Sequence, residues 1–379
     1  MNELRESLSL YLKRLDKLMI LCALLCSALS VVLLHSIQAN GVLEIGFDDC
    51  ITQGVAAVIG IIAMLVTASI DFHKLSKIWY IYTPIILILI ALTFTSLGYQ
   101  REGADDQAWL NLGFTSIQPS EFLKIVFILT FSLHLSKDEE NMNRPLHMLL
   151  LLLHGMIPLG IVALQGDYGT AIVFAMMLAI MLFSSRISWI YILAAIVAIP
   201  VVIWAAWNFL LGDLHKSRIL VLLNPGTDPE GLEYQQDLGL TALASGKLFG
   251  KGLYNGSDYI SVPELHNDFM FAYVGETLGF VGAMIIAMIL TIICIRILMN
   301  GVKLHDRQGF FICMGVFAML MTHCIMNIGM VLKVMPVIGI PLPFLSAGGS
   351  ATLSMYISIG LVLSARQHSI KPKKSIFEI

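Results

Sequence analysis

The stretch PELHNDFMFAYVGETLGF, Pro263 to Phe280, turns from polar to apolar within a few residues. Asp268 stands at the changeover, with His266 and Asn267 before it and Phe269 and Phe271 after it. A carboxylate at a boundary between water and an apolar wall loses solvation of its charged form. That raises its pKa and suits it to accept a proton. The competing local reading is an N-cap for the helix that follows. Glu276 lies two turns further on, below the rim of the same apolar stretch.

Three other segments put polar groups where lipid is expected. In QPSEFLK, Pro119 and Ser120 start a helix and place Glu121 and Lys124 at i,i+3 on one face. The pair could be functional, or it could be a structural pair that neutralises itself. In LQGDYGTA, Asp167 sits at a helix start and could cap it or face a site. In MPVIGIPLPFLSAGGSA, Met335 to Ala351, three prolines forbid regular helix while Gly348 and Gly349 permit close backbone approach. Irregular backbone at membrane depth is tolerated only inside protein or along a wet cavity, so this segment is expected to line a cleft.

The elements that must position these residues follow from composition. The chain has 379 residues, 57% hydrophobic and 13% charged, against about 25% charged in an ordinary soluble domain. Apolar runs of about 18 or more residues read as membrane spans. Ten are expected, near 18–36, 51–70, 78–98, 119–136, 147–165, 168–184, 188–211, 269–297, 308–330 and 346–364. The expectation is one all-α, polytopic membrane domain over 1–379, with outer loops near 99–118 and 212–267, the larger between spans seven and eight. Within that larger loop, EYQQDLGLTALA, Glu233 to Ala244, could form a short amphipathic helix lying on the membrane surface.

Lys and Arg concentrate in the loops on the N-terminal side, including Lys13, Arg14, Lys74, Lys77, Arg144 and Arg307. That bias puts both termini in the cytoplasm and Asp268 toward the outer face. The charged start MNELRESLSLYLKRLDK carries no cleavage pattern of a signal peptide. The basic tail KPKKS suits contact with anionic lipid or a role in topology. The six cysteines lack a disulfide or zinc-ligand pattern, and a net charge of −3 gives no reason to expect nucleic acid.

Taken in order, AWLNLGFTSIQPSEFLKI, GDYGTA, SRILVLLNPGTDPEGLEYQ, ASGKLFGKG, PELHNDFMFAYVGETLGFVG and NIGMVLKVMPVIGIPLPFLSAGGSA resemble the SEDS family of shape, elongation, division and sporulation proteins, of the RodA and FtsW type. The resemblance implies a glycosyltransferase that polymerises lipid II on the outer face of the cytoplasmic membrane. It also implies release of undecaprenyl diphosphate, and a class B penicillin-binding protein as partner. Asp268 matches the family's essential acid, a general base toward the acceptor sugar hydroxyl. Lys124, Arg218 and Lys251 match basic positions that could hold the diphosphate, with Glu121 positioning Lys124 or substrate. Glu276 would order polar groups at the base of the cleft. Trp109, Asp167, His266, Ser346, Gly348, Gly349 and Ser350 fall in the matched motifs and join the expected substrate-binding set. No carboxylate cluster has metal-ligand spacing, yet the substrate diphosphate could recruit Mg2+ or Mn2+.

The chain departs from that family's pattern in places. Ala108 stands where arginine commonly precedes the tryptophan, Ala347 replaces an aromatic, and Lys333 takes a position usually small or apolar. Lys333 could replace the missing arginine in holding substrate phosphate, or it could snorkel to the headgroups. The rival functions are a lipid II flippase and a non-catalytic scaffold. Intact Asp268, Lys124 and Glu121 speak against a scaffold, and polar groups gathered in the outer half speak for chemistry at one face. Absence of long terminal extensions favours elongation over division or sporulation.

Overall fold

In the computed structural model, residues 15–43, 46–100, 106–111, 113, 116–224, 226, 231–256 and 258–369 are described. The charged N-terminal segment before residue 15, Arg101, most of NPGTDPEG and the KPKKS tail lie outside them. Helices α1 Lys17–Ala39 and α2 Phe47–Ser69 are followed by the short α3 Phe72–Lys77 and by α4 Trp79–Thr93. After a small sheet come α5 Pro119–Asp138, α6 Pro145–Leu164, α7 Tyr168–Phe183 and α8 Trp189–Ala205, which runs on into a π-turn Ala206–Leu210. Two shorter helices, α9 Asp213–Leu223 and α10 Leu232–Ser245, precede α11 Met270–Val302, α12 Arg307–Val331 and α13 Gly349–His368.

Six of these helices are long and apolar enough to cross a membrane: α1, α2, α6, α8 with its π-turn, α11 and α12. The chain is therefore a multi-pass membrane protein. α4 and α7 are apolar but shorter. α5 and α13 carry buried polar groups, among them Ser120, Glu121, Lys124, Ser354 and Ser358, which lower their hydropathy because they face protein rather than lipid. α12 lies at the centre, packed on α5, α7, α11 and α13, while α13 runs along α2. α8 is the opposite case, with no buried residue, and most of its apolar surface is exposed, Tyr191 near its start being packed against the core.

Two features depart from the expectation. The chain is not wholly helical, as an all-α fold would have it: β1 Gly98–Tyr99, β2 Trp109–Asn111 and β3 Ser116–Ile117 form a three-stranded antiparallel sheet, with Tyr99 opposite Trp109 and Asn111 opposite Ser116. The segment Glu233 to Ala244 is helical, but it packs against α11 and α12 rather than standing apart on a surface.

α11 is broken at Gly279, whose φ of 69° and ψ of −173° suit a residue without Cβ. The break frees backbone groups that cost several kcal/mol each if left unpaired at membrane depth, on the order given for hydrocarbon. The SGKLFGKG loop supplies their partners. Phe280 N donates to Lys247 O at 2.8 Å and Val281 N to Leu248 O at 3.1 Å. Lys251 N and Gly252 N donate to Glu276 O and Thr277 O at 2.9 and 3.0 Å. Gly250 allows the close approach, since a Cβ there would stand 2.2 Å from Thr277 O. This docking holds the chain that leads back to Asp268.

Candidate functional site

A cavity of ≈ 190 Å³ opens where the loop ends of α5, α7, α9, α11 and α13 meet. The first outer loop contributes Asp106, Trp109 and Gln118, and the start of α7 contributes Asp167, Tyr168 and Gly169. α9 brings His215 and Arg218, and the approach to α11 brings Glu264, Asn267 and Asp268. The broken segment after α12 closes the wall with Val337, Ile338, Gly339, Pro341, Ala347 and Gly348. Several carboxylates thus share the cavity with one arginine.

Asp268 is half-buried. Its main chain is set by a turn in which Asn267 N, Asp268 N and Phe269 N all donate to Glu264 O, at 3.1, 3.0 and 3.2 Å. Asn327 Nδ2 donates to Asp268 O at 2.7 Å. Helix α11 starts at Met270 with Phe269 in the cap position, so the cap falls one residue beyond Asp268. Across the cavity, a Cβ on Gly339 would stand 3.6 Å from Asp268 Oδ2. Ala347 N donates to His266 O at 2.9 Å and joins the two walls.

Asp167 does both things its sequence position allowed. Its Oδ1 accepts from Thr170 N at 2.9 Å and caps α7, and its Oδ2 accepts from Gln118 Nε2 at 2.9 Å at the cavity edge. Burial raises its pKa from 3.8 to about 6, and the nearby Asp106 charge adds to the rise, while the Thr170 bonds oppose it. Arg218 Nη1 donates to Val337 O at 3.3 Å, which ties α9 to the broken segment. Tyr168 and His215 meet edge to face, with ring centroids 4.4 Å apart.

The cavity therefore gathers Asp268, Asp167, Trp109, Arg218 and Gly348 from the expected set. Others sit one layer behind. Ser350 Oγ accepts from Gln118 N at 3.2 Å, and Ser346 Oγ accepts from Leu342 N at 2.8 Å. Gly349 is the first residue of α13.

Glu121 and Lys124 are fully buried, 2.7 Å apart, and neither lines the cavity. Ser354 Oγ donates to Glu121 Oε2 at 2.6 Å.

Two basic positions lie elsewhere. Lys251 Nζ is 2.6 Å from Glu276 Oε1 and 2.6 Å from Asp258 O, within the loop docked at the α11 break. Glu276 also accepts from Ile260 N at 3.0 Å and Ser245 Oγ at 3.2 Å, so it orders this loop and not the base of the cleft.

Lys333 neither snorkels nor meets the cavity. Its Nζ pairs with Asp237 and, at 3.3 Å, with Glu233, one turn apart on α10. Burial opposes its charge, but those two carboxylates outweigh it and raise its pKa. Lys333 N donates to Met330 O at 3.1 Å and Val334 N to Gly329 O at 2.9 Å, a Schellman ending with lysine at φ 55°. Ala108 is fully buried. The idea that Lys333 stands in for an arginine there is set aside.

Sequence reasoning missed Asp106, Gln118, His215, Glu264, Gln53, His323 and Asn327. Gln53, inside α2, donates to Ser346 O and accepts from Gly348 N at 3.2 and 3.1 Å. The available signal was a lone polar side chain inside an apolar run, which in a membrane usually faces protein.

Fold and cavity together define a multi-pass helical membrane protein with an acid-lined, arginine-bearing site at one end of the bundle. The sequence matches the FtsW/RodA/SpoVE family, described as "Cell cycle protein", over residues 16–371. The chain belongs to that family. Peptidoglycan glycosyltransferase MrdB of Escherichia coli (strain K12) is 32% identical over 364 residues, covering 95% of each chain. Stage V sporulation protein E of Bacillus subtilis (strain 168) is 30% identical over 375 residues, covering 93% of this chain and 97% of its own. Among solved structures, the Thermus thermophilus rod shape determining protein RodA aligns with a TM-score of 0.67 at 23% identity, over 93% of this chain and 97% of that one. A chain from "Structural coordination of polymerization and crosslinking by a peptidoglycan synthase complex" aligns with a TM-score of 0.77 at 24% identity, over 93% and 98%.

Proposed function

We propose that this chain polymerises lipid II into glycan strands at the outer face of the cytoplasmic membrane, in cell elongation and shape. It is a peptidoglycan glycosyltransferase, as its relative MrdB is named. The observation that carries the mechanism is Asp268 at the rim of a cavity whose wall also holds Arg218. In the reaction the acceptor 4-hydroxyl oxygen bonds to the donor C1 with inversion. The C1–O bond to the lipid diphosphate breaks, and the hydroxyl proton passes to Asp268. Arg218 would take the leaving diphosphate, a reading supported by its being the one lysine or arginine among the cavity residues described. Trp109 and Asp167 would contact the sugars.

Among the described residues no group of three or more His, Cys, Asp or Glu side chains could hold a metal ion. A divalent cation, Mg2+ or Mn2+, would enter on the substrate diphosphate. The ten apolar helices α1, α2, α4–α8 and α11–α13 are read as ten spans with both termini cytoplasmic. The stretch from α9 to Asp268 is then the large outer loop. A class B penicillin-binding protein is the expected partner, consistent with the fold's likeness to a chain of a peptidoglycan synthase complex.

The test is Asp268→Asn with purified protein and fluorescent lipid II. The amide is nearly isosteric but a very poor base, so glycan ladders should fall by about 10²-fold or more while membrane insertion is unchanged. Ladders at the wild-type rate would remove Asp268 from the chemistry. Lipid II scrambling in liposomes by a wild type that makes no ladders would establish a flippase instead.

A further inference from the structure

Two polar residues that the proposed chemistry does not use lie one turn apart on α12. His323 and Asn327 are 2% and 0% exposed. Asn327 Nδ2 donates to Asp268 O at 2.7 Å and to Ile340 O at 2.8 Å. Both neighbours are carbonyl oxygens, which only accept, so they settle which way the amide points.

His323 Nδ1 lies 3.1 Å from Pro341 O, and its Nε2 lies 3.1 Å from Lys124 Nζ. Lys124 Nζ also donates to Glu121 Oε1 at 2.7 Å, and a lysine head group brings donors to such contacts. The ring must then accept at Nε2 and donate from Nδ1. This neutral tautomer is assigned from the groups around the ring.

Consecutive carbonyls of the broken segment, Ile340 and Pro341, are thus both held by α12. Pro341 brings no N–H of its own to the segment, and Gly339 before them has a φ of 66°. Gly339 is the residue that faces the Asp268 carboxylate. The amide that holds Ile340 O also holds the main-chain carbonyl of Asp268. One side chain therefore fixes two walls of the cavity relative to each other.

We infer that Asn327 and His323 are positioning residues: they set the Asp268 carboxylate against the 337–341 wall, and the buried Glu121–Lys124 pair acts through His323 rather than on substrate. This rests on the glycosyl transfer proposed above. A base must lie within a fraction of an ångström of its productive place, and a displacement of about 1 Å can cost up to about 10²-fold in rate.

The experiment uses full-length protein in nanodiscs with fluorescent lipid II, read by steady-state kinetics and by hydrogen–deuterium exchange. Asn327→Ala and His323→Leu each remove the donor to the wall. Both should lower kcat by roughly 10- to 100-fold, with lipid II KM changed by less than about threefold. His323→Asn keeps a donor near the Nδ1 position and should recover most of kcat. Exchange should quicken in 264–269 and 337–347 and not elsewhere.

A kcat within about twofold of wild type in Asn327→Ala would overturn the inference. So would exchange that quickens throughout the bundle, since these would then be residues of the fold as a whole. The inference would equally fall if His323→Asn were as impaired as His323→Leu. Failure of the underlying reading looks different: wild type without ladders, or Asp268→Asn at the wild-type rate. The exchange pattern still decides in that case whether the wall is held as stated.

Discussion

Lys251→Met is the perturbation that best separates substrate binding from loop anchoring. Glu276 is fully buried and its Oε1 takes three bonds: from Lys251 Nζ at 2.6 Å, Ile260 N at 3.0 Å and Ser245 Oγ at 3.2 Å. Removing the lysine leaves a buried carboxylate with two neutral donors. Breaking a buried pair typically costs 3–5 kcal/mol, and because Lys251 is 25% exposed and two donors remain, about 2–3 kcal/mol is expected here. Glu276→Gln alone leaves a lysine that can reach water and Asp258 O, so about 1 kcal/mol is expected. The double variant removes both charges and should return to within about 1 kcal/mol of wild type. Thermal unfolding in a single detergent measures stability, and lipid II polymerisation measures function. The double variant should make ladders at a rate close to wild type. Were it stable but inactive, Lys251 would be a substrate ligand after all. A double variant as unstable as Lys251→Met alone would refute the coupling.

Lys333→Gly removes the pairs to α10 but suits the left-handed backbone at that helix end. It should cost no more than about 1 kcal/mol, shrink further in high salt, and leave lipid II turnover unchanged. Asp167, with its pKa raised from 3.8 to about 6, holds a proton more tightly folded than unfolded. Its contribution is fully present below about pH 4 and is lost as pH rises through about 6, a difference of roughly 3 kcal/mol. Asp167→Asn should therefore flatten the stability profile between those values, and an unchanged profile in a pH-dependent melt would count against the assignment. Gly339→Ala forces a Cβ onto a residue at φ 66° and brings it 3.6 Å from Asp268 Oδ2. It should cost about 1 kcal/mol in stability and several-fold in polymerisation.

The helices were legible because lipid-facing segments must be apolar and backbone-satisfied. Six of the helices are long and apolar enough to cross a membrane, and finer features escaped that logic. The strands β1 to β3 are two or three residues long, too short for alternation to declare itself. The break in α11 reads in sequence as one apolar run with several glycines in it, of which only Gly279 breaks it, where the SGKLFGKG loop folds back to pair with it. That α8 has no buried residue is equally invisible, since a largely exposed span and a span packed on one side can share one composition.

The site divides along the same line. Asp268, Asp167 and the glycine-rich turn were legible because a carboxylate at a helix start and a broken backbone at membrane depth each demand a local explanation. The cations were not. A lysine's role depends on which acid it meets, and Lys251 finds Glu276 while Lys333 finds Glu233 and Asp237 on an element far away in sequence. Lys124 finds Glu121 within one turn, which its spacing did announce, yet the pair faces His323 and Ser354 rather than the cavity. Three of the four basic residues expected at the phosphate are thus committed to carboxylates outside the cavity, one within its own helix and two on other elements. Charge that is already neutralised has less to offer an arriving diphosphate, and the desolvation needed to free it would come out of the binding energy. Arg218 differs in position: its guanidinium reaches Val337 O on the cavity wall, in the segment that also faces Asp268. The proposed base and the proposed phosphate ligand then both meet one broken segment, and on that reading its anchoring to α12 is the feature on which the geometry of transfer would depend.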